Sequence, residues 1–232
     1  MNNQNQKTSI VLVHGAFADG SSWNKVIPIL EAEGFAVTAV QNPLKSLADD
    51  VATTKRTIES QKGNVVLVGH SYGGAVITEA AAGNPKVKAL VYVAAFAPDA
   101  GETLGGLGEK FPATPLATAL APDSAGFLYI DRTEFHEVFA RDLPADTAAL
   151  LAATQKPIAA AIFGEDAKAA AWNTVPSWYV VSTQDQAINP DLERFMAKRM
   201  NAQTIEINAS HVSFLSQPKA IVKIIETAAA NI

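Results

Sequence analysis

A serine lies among glycines in the run Gly69-His70-Ser71-Tyr72-Gly73-Gly74, which fits G-x-S-x-G and stands between an apolar run and a segment of helical period. A sharp turn at that place forces the serine into strained backbone geometry and exposes its hydroxyl, and the glycines let neighbouring segments come close. A helix beginning at Tyr72 adds partial positive charge and unpaired N–H groups beside the hydroxyl, which suits attack on a carbonyl and binding of the resulting anion. A serine hydroxyl is a weak nucleophile and needs a base, for which the chain offers four histidines. His70 adjoins Ser71 with its side chain directed away. His14 ends the first apolar run, where its expected role is to brace the loop that follows. His136 falls in Glu134-Phe-His-Glu-Val-Phe139 and reads as a packing or surface residue. His211, in Asn208-Ala-Ser-His211 after the last apolar run, is the expected base.

The imidazole requires an acid to fix its tautomer and to stabilise its charged form. Asp185 closes Tyr179-Val-Val-Ser-Thr-Gln-Asp185 at the same edge of the fold and is favoured, with Asp99 as the rival. Ser71, Asp185 and His211 then occur in the order nucleophile, acid, base. The developing oxyanion needs two donors. One is expected from the Tyr72 amide, the other from the Ala16 amide in His14-Gly15-Ala16-Phe17, with Phe17 as second choice. Substrate contacts are expected from Phe17, Tyr72, Phe96, Phe127 and Trp172, with Phe111, Phe135, Phe139 and Phe163 also on hand.

These residues must be positioned by something, and the chain supplies short β-branched runs alternating with helical periods, the pattern of a parallel sheet flanked by helices. Strands are expected at Ser9 to Val13, Ala36 to Val40, Asn64 to Val68, Val87 to Val93, Ser177 to Ser182 and Thr204 to Ile207. Each is almost continuously apolar, as in strands buried on both faces. Ser46-Leu-Ala-Asp49 reads as a capping box for a helix whose buried face is Leu47, Val51, Thr54 and Ile58. Asn189-Pro190 and Gln217-Pro218 mark two further helix starts.

Roughly 80 positions separate Ala97 from Ser177, where a crossover needs a dozen or so. That stretch opens rich in Gly and Pro and turns Ala-rich and helical from about Thr133 to Ala171. It is expected to be a helical cap, residues 98–171, inserted into a core of residues 1–97 and 172–232. The fold class is α/β, with a six-stranded, mostly parallel sheet and helices on both faces.

Composition removes other classes of chemistry. The 232 residues carry 18 Lys+Arg against 23 Asp+Glu, a net charge of −5, without the basic cluster that nucleic-acid binding demands. Without cysteine there is no thiolate zinc site, iron–sulfur cluster or catalytic thiol, and neither metal nor cofactor is expected. The polar start Met1 to Lys7 and the absence of a membrane-length apolar run lead to the expectation of a cytoplasmic protein.

The residues also resemble a known family, the α/β-hydrolase superfamily, over nearly the whole chain. Val11-Leu-Val-His-Gly-Ala-Phe17 with Ser22-Trp23, Gly69-His-Ser-Tyr-Gly-Gly74 and Val91-Tyr-Val-Ala-Ala-Phe-Ala-Pro98 are similar to the small esterases related to plant salicylate methyl-ester esterases and hydroxynitrile lyases. The resemblance implies a Ser71, Asp185 and His211 triad, a hole built from the Ala16 and Tyr72 amides, a small ester as partner and often a homodimer. The lyases usually carry threonine where this chain has Gly15 and lysine where it has Val212, so hydrolysis of a small apolar ester is expected. Lactonase, amidase, perhydrolase and lyase activities, and a non-catalytic small-ligand receptor, are the alternatives.

Overall fold

The computed structural model describes residues 8–232, and the polar run Met1 to Lys7 lies outside them. Along the chain the strands are β1 (Ser9–Val13), β2 (Ala36–Ala39), β3 (Val65–His70), β4 (Val87–Val93), β5 (Leu120–Pro122), β6 (Phe127–Ile130), β7 (Ile158–Ala159), β8 (Ser177–Ser182) and β9 (Gln203–Ile207). Six of them form one sheet in the order β2-β1-β3-β4-β8-β9, and every neighbouring pair is parallel. Every residue of β1, β3 and β8 is buried. Because successive side chains point to opposite faces, this burial requires cover on both faces of the sheet.

The helices Leu47–Ser60, Tyr72–Ala80, Pro190–Arg199 and Pro218–Ala230 supply most of the cover. The first starts as expected: the Ser46 side chain accepts from Asp49 N at 3.1 Å, and Leu47, Val51, Thr54 and Ile58 are all buried. Asp50 is buried among them. Strand β3 runs two residues beyond its expected end, because its ladder with β4 continues through Gly69 opposite Tyr92 and His70 opposite Val93. The ladder therefore holds the chain rigid up to the residue before Ser71.

The segment between β4 and β8 differs from the helical insertion expected. It holds a second, antiparallel sheet in the order β5-β6-β7. Asp123 closes the β5–β6 turn, its carboxylate accepting from Ala125 N (2.8 Å) and Phe127 N (2.9 Å), and Gly126 takes the left-handed conformation there with φ +83°. Short helices follow at Phe135–Phe139 and Ala145–Thr154. Helix does not continue to Ala171. The Gln155 side chain instead donates to Ile130 O (2.9 Å) and accepts from Ile130 N (2.8 Å), and Pro157 removes a donor that a longer helix would need. The chain then joins β6 as β7 and goes on in 3-10 turns at Ala160–Gly164 and Ala171–Asn173.

The two ends of this insertion meet. Trp172 Nε1 donates to Pro98 O at 2.9 Å, and Gly101 N donates to Ala167 O at 2.8 Å. Arg199, on the helix Pro190–Arg199, donates to Glu102 from both terminal guanidinium nitrogens (3.0 and 2.7 Å) and also to Ala97 O (2.6 Å). Among the described residues no helix is long and apolar enough to cross a membrane.

Burial alone would raise the Glu102 carboxyl, but hydrogen bonds from Arg199, Asp99 N and Lys110 outweigh it and hold the group at about 2 instead of 4.5. A depressed carboxyl stabilises the fold above its unfolded value, and the contribution disappears as pH falls towards the folded value. Wild-type Tm is thus expected to exceed that of Glu102→Gln above pH 4.5, with the gap closing as pH falls towards about 2. Calorimetry across that window checks this; a constant gap would disprove a role for the Glu102 charge.

Candidate active site

At the end of β3 the chain turns sharply into the helix Tyr72–Ala80. Ser71 sits in the turn at φ 53° and ψ −126°, a conformation that strains any residue with a side chain. Backbone bonds over-determine it: Ser71 N donates to Val93 O (3.2 Å), and Ser71 O accepts from Gly74 N (3.0 Å) and Phe96 N (3.1 Å). Two glycines allow the packing. A Cβ on Gly73 would stand 2.4 Å from Val13 O, and one on Gly15 would stand 2.7 Å from Ser71 Cβ.

Asp185 and His211 come from the ends of the neighbouring strands β8 and β9. His211 Nδ1 lies 2.6 Å from Asp185 Oδ2, and both side chains are buried. The second carboxylate oxygen accepts from Ala187 N (2.6 Å) and Ile188 N (3.0 Å), which fixes the Asp185 rotamer. With Asp185 as acceptor, Nδ1 carries the proton and Nε2 presents its lone pair. That Nε2 is buried and has no hydrogen-bond partner among the described residues. Ser210, just before His211, is tied to Asp142 of the insertion through its amide at 3.0 Å and through its hydroxyl. The Phe139 ring, also from the insertion, lies 4.9 Å from the imidazole centroid. Asp99 meets none of these groups; it accepts from the neighbouring Ala100 N at 2.8 Å.

The other histidines are committed elsewhere. His14 donates from Nδ1 to Gly15 O (2.8 Å) and accepts on Nε2 from Asn42 N (2.9 Å). Burial lowers it to about 4, so it is neutral and ties the loop after β1 to the chain after β2. His70 donates from Nε2 to His211 O at 3.0 Å, and burial, then the neighbouring His211, holds it well below the ordinary histidine range. His136 donates to Leu143 O at 2.9 Å, a packing role within the insertion.

The Ala16 and Tyr72 amides, expected as oxyanion donors, lie in the loop after β1 and at the first residue of the helix Tyr72–Ala80. Among the described residues, neither the Ala16 nor the Tyr72 amide N–H is bonded to an acceptor within the chain. Phe17 follows with φ 59°, a second strained residue beside the first. The Tyr72 side chain, however, turns into the core. Its hydroxyl donates to Asp50 Oδ2 at 2.6 Å while Asp50 Oδ1 accepts from Leu44 N at 2.8 Å. Burial and the adjoining carboxylate push the Tyr72 phenol up, and burial raises Asp50 as well.

The remaining expected contacts divide. Phe17 lines a cavity of about 300 Å³ with Phe139, Val212 and Phe214. Phe96 lines another of about 440 Å³ with Ile188 and Leu192. Phe127 lies half-buried in β6, and Trp172 seals the ends of the insertion, its ring 5.4 Å from the Arg199 guanidinium. Phe139 and Asp142 gain their place at His211 only through the folded insertion. Phe135 and Phe139 were among the aromatics the sequence offered for the cap; that Phe139 would meet His211 was not visible in it.

A parallel α/β sheet with a serine elbow and a buried His–Asp pair at its strand ends defines a class of hydrolases, and the comparisons agree. The chain matches the alpha/beta hydrolase family over residues 10–224, and it belongs to that family. It is 30% identical to salicylic acid-binding protein 2 of Nicotiana tabacum over 91% of this chain and 93% of that one. It is 28% identical to methylesterase 2 of Arabidopsis thaliana over 95% of each. In three dimensions it is similar to the crystal structure of a pyrethroid hydrolase, with a TM-score of 0.82, 24% identity and coverage of 97% and 98%. The chain is an esterase-type hydrolase of the α/β-hydrolase fold.

If Tyr72 contributes its amide and not its ring, Tyr72→Phe keeps turnover near wild type. It leaves the buried Asp50 short of a donor, at a cost of about 1–3 kcal/mol in urea unfolding. A large fall in kcat with unchanged stability would place the phenol in the reaction.

Proposed function

We propose that this protein is a cofactor-independent serine esterase that cleaves small, largely apolar carboxylic esters through an acyl-enzyme. The observation that carries the reading is the buried His211 Nε2. Asp185, 2.6 Å from Nδ1, orients the ring, and Nε2 is left without a partner among the described residues at the strand edge that carries the Ser71 turn. In this reading Nε2 takes the Ser71 proton as Oγ attacks the ester carbonyl. The Ala16 and Tyr72 amides receive the oxyanion. His211 then returns the proton to the leaving alcohol, and a water activated by the same nitrogen releases the acid. Residues 98–171 act as the cap that brings Phe139 to the imidazole, over a core of residues 1–97 and 172–232.

One further observation favours hydrolysis over the lyase reaction. On this backbone any side chain at position 15 would meet Ser71 Cβ at 2.7 Å and His70 O at 2.9 Å, so the threonine of the lyases has no room. Val212, in place of their lysine, is buried and offers no charge to a leaving cyanide.

A fluorophosphonate probe is expected to label the wild type at Ser71 and to leave Ser71→Ala unlabelled; equal labelling of the two sinks the proposal. With p-nitrophenyl acetate, Asp185→Asn should lower kcat by about 10⁴, with Asp99→Asn close to wild type. Cyanide release from mandelonitrile that depends on Ser71 would revive the lyase reading.

A further inference from the structure

Directly behind the Asp185–His211 pair lies a second carboxyl group that no step above uses. Glu193, on the first turns of the helix Pro190–Arg199, is completely buried. Its Oε2 accepts from Ser182 N, at the end of β8, at 3.1 Å. Its Oε1 is buried and has no hydrogen-bond partner among the described residues, and the carboxyl as a whole lies against the Asp185 side chain. A buried carboxyl is costly unless it is used, because its lost hydration has to be replaced.

The surroundings decide its protonation state. The groups facing Glu193 are the Asp185 carboxylate, the Ser182 amide and, on β8, the Tyr179 hydroxyl, which is engaged with Ala95 O. Arg194, adjacent on the same helix, points to solvent and binds Asp191 and Glu206. His211 lies on the other side of the Asp185–Glu193 pair, bonded to Asp185 Oδ2. Burial, then the neighbouring Asp185 charge, pushes the Glu193 carboxyl well above the ordinary range. Two ionised carboxylates cannot share so dry a place. A neutral carboxylic acid has one proton to donate. With Oε2 taken up by an amide donor, the proton belongs on Oε1, and Asp185 is the acceptor within reach.

We propose that Glu193 is a positioning residue for the active site: as a neutral acid it donates to Asp185 and so holds Oδ2 against His211 Nδ1. The inference rests on the triad reading of Ser71, Asp185 and His211. It adds a fourth donor to an Asp185 that already accepts from Ala187 N, Ile188 N and His211 Nδ1. It also explains an acid where an apolar residue would pack at less cost.

The test compares wild type, Glu193→Gln and Glu193→Leu as full-length protein. Glutamine keeps both functions, a carbonyl for Ser182 N and an N–H for Asp185, and is expected to keep kcat close to wild type. Leucine removes them and is expected to lower kcat roughly 10- to 100-fold with KM little changed, the effect of losing a hydrogen bond to a charged group. In proton NMR the far-downfield His211 Nδ1–H resonance should persist in Glu193→Gln and vanish or broaden in Glu193→Leu. An infrared difference spectrum of wild type against Glu193→Gln at neutral pH should show a protonated-carboxyl stretch. Wild-type kcat and an intact downfield resonance in Glu193→Leu overturn the proposal, and so does a difference spectrum without that stretch. The infrared result decides by itself if the leucine variant does not fold. Failure of the probe to label Ser71 in wild type would instead bring down the triad reading, whatever the infrared spectrum shows.

Discussion

The parallel ladder between β3 and β4 is the constraint on which the site depends. After a register shift between Val65 and Val66 it runs in unbroken register to His70 opposite Val93, so the chain reaches Ser71 with no slack and must reverse there at positive φ. What makes the reversal affordable is the absence of side chains where three segments converge, at Gly15, Gly73 and the Val13 carbonyl. Strain at one residue persists only where its surroundings leave no alternative, and here the sheet, the following helix and the loop after β1 all do so.

Around that turn the protein sorts its histidines by environment. His14 and His70 are buried and already bonded to backbone, so each is held neutral and structural. His211 is equally buried, but its ring is paired with a carboxylate and retains an open nitrogen. Identical side chains thus acquire different chemistry from their hydrogen-bond partners alone. The same logic separates the acids: Asp50 anchors a phenol, Asp185 an imidazole, and Asp99 only its own loop.

Much of this was legible in the sequence, for a physical reason. Strands covered on both faces must be apolar at every position, so Ser9–Val13 and Ser177–Ser182 stand out against any background. Ligand chemistry in such sheets collects at the carboxyl ends of the strands, which drew attention to Ser71, Asp185 and His211. The insertion was less legible. Its antiparallel sheet depends on Gln155 closing on Ile130 from a distant part of the chain, and Ala-rich sequence has high helix propensity whether or not tertiary contacts use it. The direction of the Tyr72 ring was hidden for a similar cause. It is set by Asp50, which the helical period of Leu47–Ser60 places on the buried face without showing which side chain it would meet.

The meeting of Trp172 with Pro98 bears on how such a fold can diversify. An excursion that leaves and re-enters the sheet at one point leaves its length free, while Phe139 and Asp142 still have to meet His211 and Ser210. The entropy of closing it grows only logarithmically, with each doubling of length costing about 0.6 kcal/mol. The catalytic scaffold and the segment above it are in that sense separately inheritable. The segment can change in length by insertion or deletion, provided the exchange preserves the clasp at its base and the contacts of Phe139 and Asp142 with the loop of His211.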